Sequence, residues 1–188
     1  NIKNGFYVDI GCHHPKRFSN TYLLYKKGWR GINIDANKLT INLFKIFRSR
    51  DKSYCKILST SSKPVNFYEF SDSALNGILD PKQALELKKI GYKIKSKKKI
   101  TPTTIQEITK QFRLKEKHIN FFKIDIEGMD FEIIKNLEFS EIDIDLIMIE
   151  KSEPSTNKKL IHYLNKKSYF LLFESRRNFL FKKIFNNA

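Results

Sequence analysis

Apolar and polar positions along the chain alternate between two textures. Short, mainly apolar runs without polar alternation occur at "GFYVDI" (5–10), "GINIDA" (31–36), "NFFKIDI" (120–126) and "IDLIMIE" (144–150). Such runs predict strands buried on both faces. Between them, apolar residues recur every three or four positions, the spacing of one helix face. Helices are expected over 19–28, 39–47, 81–91, 104–112, 129–137 and 155–167. Ser19 or Asn20 can cap the first, and Gly28 suits its left-handed end. "TIQEITKQF" (104–112) opens on a capping box, Thr104 with Glu107, and places Ile105, Ile108 and Phe112 on one side. Further strands are expected at 53–59, at 65–70 with half-exposed alternation, and at 92–100, 168–174 and 178–184. Residues 71–80 read as a loop.

Alternating strands and helices of this kind predict an α/β, Rossmann-like fold: an open, mostly parallel sheet with helices on both faces. No repeat, low-complexity tract or linker divides the 188 residues, so one domain over 1–188 is expected. The chain starts at Asn1 rather than methionine, which suggests a core trimmed at its amino end. No apolar run reaches the roughly 18–20 residues of a membrane span, and no signal-peptide pattern is present. Cys12 and Cys55 make no disulfide framework, so a reduced, cytoplasmic setting is expected. Both cysteines are expected to pack rather than react, and Phe18 and Trp29, which flank the first helix, are expected in the core.

In open α/β sheets, ligands sit beyond the carboxyl ends of the strands, where strand order reverses. The residues at those exits are Asp9 and Gly11, Asp35, Ser59, Asp125 and Glu127, and Glu150. A glycine directly after a strand admits close backbone approach to a ligand. Asp35 follows Gly11 by 24 residues, at the end of the next strand, where an acid accepts hydrogen bonds from ribose hydroxyls. Together they point to an adenosine-containing cofactor. Dinucleotides call for G-x-G-x-x-G, whereas this turn reads "GCHHP", and no P-loop lysine pattern occurs. A cofactor with adenosine but no phosphate suits the turn better, and S-adenosylmethionine meets that description.

"FYVDIG", "GWRGINIDAN" and "FFKIDIEGMDFEII" resemble, in order and spacing, the motifs of FkbM-like S-adenosylmethionine-dependent methyltransferases. The resemblance runs from about residue 5 to 150. It implies the seven-stranded methyltransferase sheet with a last, antiparallel strand, and O-methylation of a sugar, glycan or other small hydroxylated acceptor. Carried over, Asp9 and Gly11 line the methionine side of the cofactor and Asp35 holds its ribose. Asp125 and Glu127 face the reacting end, Asn20 and Thr21 lie in a polar helix start beside the turn, and Ser59 approaches the adenine. Pro15 departs from the pattern, which usually has a glycine four residues after the first.

An alcohol nucleophile must lose its proton, a task for a carboxylate or a neutral histidine. His13, His14, Asp125 and Glu127 are the candidates, although either histidine can equally tie the turn to backbone. No further acid or amide ligand completes a divalent-metal set, so no metal is assigned. The net charge of +16 raises a competing class, a basic nucleic-acid-binding protein. Lysine supplies 29 of the 36 cations and arginine only 7, a skew that reads as compositional habit rather than phosphate recognition. No RNA-binding aromatic motif or "NPPY"-like tetrapeptide supports it. The "KIKSKKK" cluster (93–99) reads as a solvated face, with a peripheral contact to an anionic membrane surface as the other reading. A non-catalytic, methyltransferase-like assembly module is the third class.

Overall fold

The computed structural model describes residues 2–72, 75–126 and 128–184. Glu127, one of the candidate site residues, lies outside them. In chain order the elements are β1 (Phe6–Ile10), α1 (Tyr22–Lys26), β2 (Arg30–Asp35), α2 (Lys38–Phe47), β3 (Lys52–Cys55), β4 (Val65–Phe70), β5 (Gly77–Ile78) and α3 (Pro81–Lys89). They continue with β6 (Ile94–Ile100), α4 (Ile105–Gln111), β7 (His118–Ile124), α5 (Asp130–Lys135), β8 (Asp143–Glu150), α6 (Pro154–Lys166), β9 (Tyr169–Glu174) and β10 (Asn178–Lys183).

Seven strands form one sheet in the order β3-β2-β1-β7-β8-β10-β9. The first five are parallel, and β10 runs antiparallel to both of its neighbours. Strand order reverses at β1, which pairs with β2 on one side and β7 on the other. That is the switch point at which such sheets take ligands.

The period-two alternation of strands divides the central residues into two unlike faces. Val8, Ile10, Ile32, Ile34, Phe122 and Ile124 join the apolar cluster that includes Ile105 and Ile108 of α4, Ile133 and Ile134 of α5, and Leu160 and Leu164 of α6. The alternate positions carry Tyr7 and Phe121, which pack with Trp29, but also Asp9, Asn33 and Lys123, all buried. Polar groups inside one face are affordable only if they find partners. They find them in one another and in the segment from Cys12 to Asp51.

Three expectations need correction. The first helix is one short turn from Tyr22, because Thr21 spends its hydroxyl on Asp9 instead of capping, and neither Ser19 nor Asn20 caps it. The third strand stops at Cys55; beyond it Ile57 and Ser59 exchange backbone hydrogen bonds with Thr103, 2.8 and 3.0 Å long. Phe18 is not core but 95% exposed, whereas Trp29 is buried. The strand expected over 92–100 belongs to a second, antiparallel sheet of order β5-β4-β6. Its inner side packs Tyr68 and Phe70 against Ala84 of α3. Lys95, Lys97, Lys98 and Lys99 of "KIKSKKK" lie on its edge strand β6, where charge discourages further strand pairing.

Candidate active site

The three strand exits are joined through their backbones. Gly11 N donates to Ile34 O of β2 at 2.9 Å, and Asp125 N donates to Ile10 O of β1 at 3.0 Å. Gly11 has φ 72°, and a Cβ placed there would stand 1.7 Å from the Asp125 carbonyl oxygen. No side chain is tolerated at that position. The single glycine of the "GCHHP" turn is thus required twice, for its backbone conformation and for this contact.

Asp35 ends β2 and organises the turn above it. Its Oδ2 accepts from His13 N at 2.9 Å and its Oδ1 from Asn37 N at 2.8 Å. Burial raises its pKa, and the two amides oppose that shift. Each oxygen keeps a further lone pair for a hydroxyl donor. His13 holds φ 54° and presents an exposed imidazole. His14 plays a different part: its Nδ1 accepts from Lys16 N at 3.0 Å and Arg17 N at 2.9 Å. Partial burial and the Arg17 cation hold its pKa below the ordinary histidine value, so the ring stays neutral and keeps accepting. Cys12 is buried against Ile41 and Phe44, and burial with the nearby Asp9 carboxylate pushes its thiol far up, out of nucleophilic use.

Beneath the turn runs a chain of buried charges. Lys123 is only 4% exposed; its Nζ donates to Gly11 O at 2.8 Å and lies 3.4 Å from Asp9 and 3.3 Å from Asp125. Burial opposes its charge, but the Asp9 and Asp125 carboxylates outweigh that and hold the ammonium well above the ordinary lysine value. Asp9 Oδ2 accepts from the Thr21 hydroxyl at 2.6 Å, and Thr21 accepts from Arg48 Nη1 at 2.7 Å. Arg48, wholly buried at the end of α2, also donates from Nε to Pro15 O at 2.7 Å and from Nη2 to Ser19. Pro15, which departs from the expected glycine, is therefore buried and tied down through its carbonyl. Asp51 completes the chain, accepting from Tyr7, Gly31 N and Asn33.

Above the exits is a cavity of about 760 Å³. Asp9, Gly11, His13, Asn20, Asp35 and Asp125 line it. It extends to Glu150, Arg177 and Asn178 on one side, and Asn76, Gly77 and Ile78 of the small sheet contribute a second wall. Thr21, His14 and Ser59 do not line it; Thr21 stands behind Asp9, His14 folds the turn, and Ser59 is buried beside Thr103. Sequence reading missed Lys123 and Arg48. A lone lysine inside the apolar run "NFFKIDI" was the available signal for the first; Arg48 sits among lysines and arginines with nothing to set it apart.

The pocket suits an adenosine-bearing sulfonium cofactor by its donor set. Asp35 offers acceptors to a diol, the Gly11 turn admits backbone approach, and buried Asp9 Oδ1 has no hydrogen bond, its nearest cation being Lys123 Nζ at 3.4 Å. Carboxylates at Asp9 and Asp125 favour a cationic end over phosphates.

No curated protein sequence matches the chain. Among solved structures it is similar to a TehB-like SAM-dependent methyltransferase from Corynebacterium glutamicum, at 10% identity and TM-score 0.48 over 98% of this chain and 83% of that one. It is also similar to the human methyltransferase 10 domain containing protein, at 10% identity and TM-score 0.45 over 98% of this chain and 74% of that one. The model of the family described as Methyltransferase FkbM domain matches residues 9–180. The chain belongs to the FkbM methyltransferase domain family, and its cofactor is S-adenosylmethionine.

Proposed function

We propose that this methyltransferase acts on an acceptor hydroxyl, that of a sugar, a glycan or another small hydroxylated molecule. One observation carries the reading: the cavity that holds the Asp9–Gly11 and Asp35 exits is also lined by polar groups on both walls, Glu150 and Asn178 on one side and Asn76 on the other. Carboxylate and amide groups in a partly open cleft are suited to hydrogen-bonding a polyhydroxylated acceptor. Asp35 would hold the ribose, and Asp9, Gly11 and Asp125 the methionine end. The cofactor supplies an activated methyl group on a sulfonium.

The chain's own residues supply positioning and a proton acceptor. Positioning accounts for much of the rate in an in-line displacement at carbon. With S-adenosylmethionine bound, its sulfonium would supply the methyl and leave as a neutral thioether, while a residue of the chain would take the proton from the acceptor hydroxyl. Among the described residues His13 is best placed for that task. Its ring lines the cavity and takes part in no hydrogen bond among those identified, while Asp125 is paired with Lys123 and His14 is occupied by the turn.

Calorimetry on Asp35→Ala is expected to show S-adenosylmethionine affinity reduced at least about a hundredfold, the loss of a charge-assisted pair of hydrogen bonds. Undiminished affinity removes the ribose assignment. His13→Asn is expected to keep cofactor affinity and lose roughly 10²-fold or more in kcat; an unchanged kcat moves the base elsewhere. Transfer of labelled methyl to hydroxylated acceptors should give an alkali-stable ether. An alkali-labile product would identify a carboxyl acceptor and overturn the hydroxyl reading.

A further inference from the structure

The exposed large apolar side chains are unevenly distributed. Phe18, Leu23, Leu39, Leu43, Ile46 and Phe47 all come from residues 12–50. That stretch also contains nine lysines and arginines but a single acid, Asp35, whose oxygens are engaged by backbone amides. Scattered exposed hydrophobes need no explanation, whereas a contiguous apolar patch rimmed by one sign of charge marks an interaction surface.

Helix α2 forms its spine. Thr40, Ile41 and Phe44 are buried, as a helix packed on a sheet requires. Leu39, Leu43, Ile46 and Phe47, at i, i+4, i+7 and i+8, form a second apolar stripe that the core does not use; Leu39 is 74% and Ile46 69% exposed. Lys38 and Lys45 lie on the same helix. The stripe reaches the cavity through the turn, since Lys16 Nζ stands 4.0 Å from the Phe47 ring centroid. Lys16, Phe18 and Leu23 themselves line the cavity. Arg48 packs over Tyr22 and Tyr25 and holds the turn, α1 and the end of α2 together as one surface.

We propose that this face, the outer stripe of α2 with Phe18 and Leu23, docks on an anionic membrane surface and sets the mouth of the cavity at the lipid headgroups. An amphipathic helix with an apolar stripe and flanking lysines lies in the plane of such an interface. Anionic lipid complements the excess of cations while the acyl boundary takes the apolar side chains. A nucleic acid would use the cations and leave the stripe in water. A second copy of the chain would set two like-charged faces together. Among the described residues no helix is long and apolar enough to cross a membrane, so the contact is peripheral. The basic edge strand β6 lacks such a stripe: its exposed residues are lysines.

The test is co-sedimentation of the full chain with vesicles of phosphatidylcholine alone and of phosphatidylcholine with phosphatidylglycerol, at about 0.1 M salt. Binding is expected only to the anionic vesicles, independently of methyl transfer. Leu39→Ser/Ile46→Ser changes two exposed positions, so its circular-dichroism melt should match the parent; its partitioning should fall about tenfold or more. Lys97→Ser/Lys99→Ser on β6 should bind like the parent. The proposal is overturned if the parent ignores anionic vesicles or if the Leu39/Ile46 variant binds them as well as the parent does. It is equally overturned if only the β6 variant loses binding, or if the parent binds a single-stranded oligonucleotide but no vesicle.

Discussion

The two walls of the cavity are built in opposite ways. The wall from the seven-stranded sheet is held by buried, charge-assisted contacts, Asp9 and Asp125 about Lys123, and Arg48 about Thr21, Ser19 and Pro15. Among the described residues, the wall from the small sheet is held by mostly exposed ones: Phe70 N donating to Asn76 Oδ1 at 2.8 Å, and Glu69 with Ser96 and Lys98 on the outside. A buried charge network has a single low-energy arrangement, because any displaced member leaves an uncompensated charge. The outer side of a small antiparallel sheet, braced by solvated contacts, has many neighbours in conformation and sequence that cost little. The first wall therefore suits an invariant ligand such as the cofactor, and the second an acceptor that differs between enzymes.

Removing the central cation gives the strongest test of that contrast. Lys123→Met leaves two carboxylates without their buried partner, and breaking a buried pair from one side costs about 3–5 kcal/mol. In a chain of 188 residues this lowers Tm by roughly 10 °C or more. Urea denaturation and calorimetry should also show cofactor binding lost, since Gly11 O surrenders its 2.8 Å donor. A Lys123→Met protein as stable as its parent would mean that the first wall owes nothing to the charges beneath it.

Asp130 offers a gentler probe of the same wall. It begins α5, and its Oδ1 accepts from Ile126 N at 3.0 Å, bracing the loop that carries Asp125. Burial, then the Asp125 charge, raises its pKa to about 6. Between the ordinary aspartate value near ~4 and about 6, the native state keeps a proton that the unfolded chain has released. Stability attributable to this group therefore falls as pH rises through that window and is level above it. Asp130→Asn keeps an acceptor for Ile126 N and removes the buried charge. It is expected to gain about 1–3 kcal/mol at pH 7.5 and nothing at pH 4, read by urea melts. An equal change at both pH values would show that ionisation is not the cost.

The contrast between walls also explains what was legible in the sequence. The β1, β2, β7 and β8 runs announce themselves because both-face burial leaves uninterrupted apolar stretches, and the family resemblance implied the seven-stranded sheet with a last, antiparallel strand. The Thr104–Glu107 capping box forms as expected, with Thr104 Oγ1 accepting from Glu107 N at 3.2 Å. Asp9, Gly11 and Asp35 could be placed around one cavity from the sequence because each sits at a strand exit. Lys123 and Arg48 escaped because their partners are distant in sequence: Lys123 meets Gly11 from 112 positions away, and Arg48 meets Pro15 from 33. Periodicity carries no record of such pairings. Phe18 was misplaced for a related reason, since an aromatic beside a helix normally packs inward, whereas here it stands at φ 53° in a turn whose Pro15 and Ser19 are held by Arg48. β4 and β6 were read as separate strands because their pairing skips over α3, and β5, only two residues long, was read as part of a loop.

The smallest effect is expected on the second wall, at Glu69. Its carboxylate accepts from Ser96 and, at 3.0 Å, from Lys98 across the β4–β6 pair. The Ser96 bond first, and then Lys98, hold its pKa below the ordinary glutamate value. A lowered native pKa contributes stability that is present above the unfolded value, near ~4.3, and is lost as pH falls through the folded one. Solvent screens this group, with side chains 35% exposed at Glu69 and 58% at Lys98, so the contribution is at most about 0.5 kcal/mol. Glu69→Gln should lower Tm by about 1–2 °C at pH 7 and low salt, by progressively less as pH falls through the group's lowered titration range, and by less in ~0.5 M salt. Cofactor affinity should be untouched. A loss comparable with that of Lys123→Met, or a fall in S-adenosylmethionine binding, would place the small sheet in the same rigid framework as the first wall and erase the distinction between them.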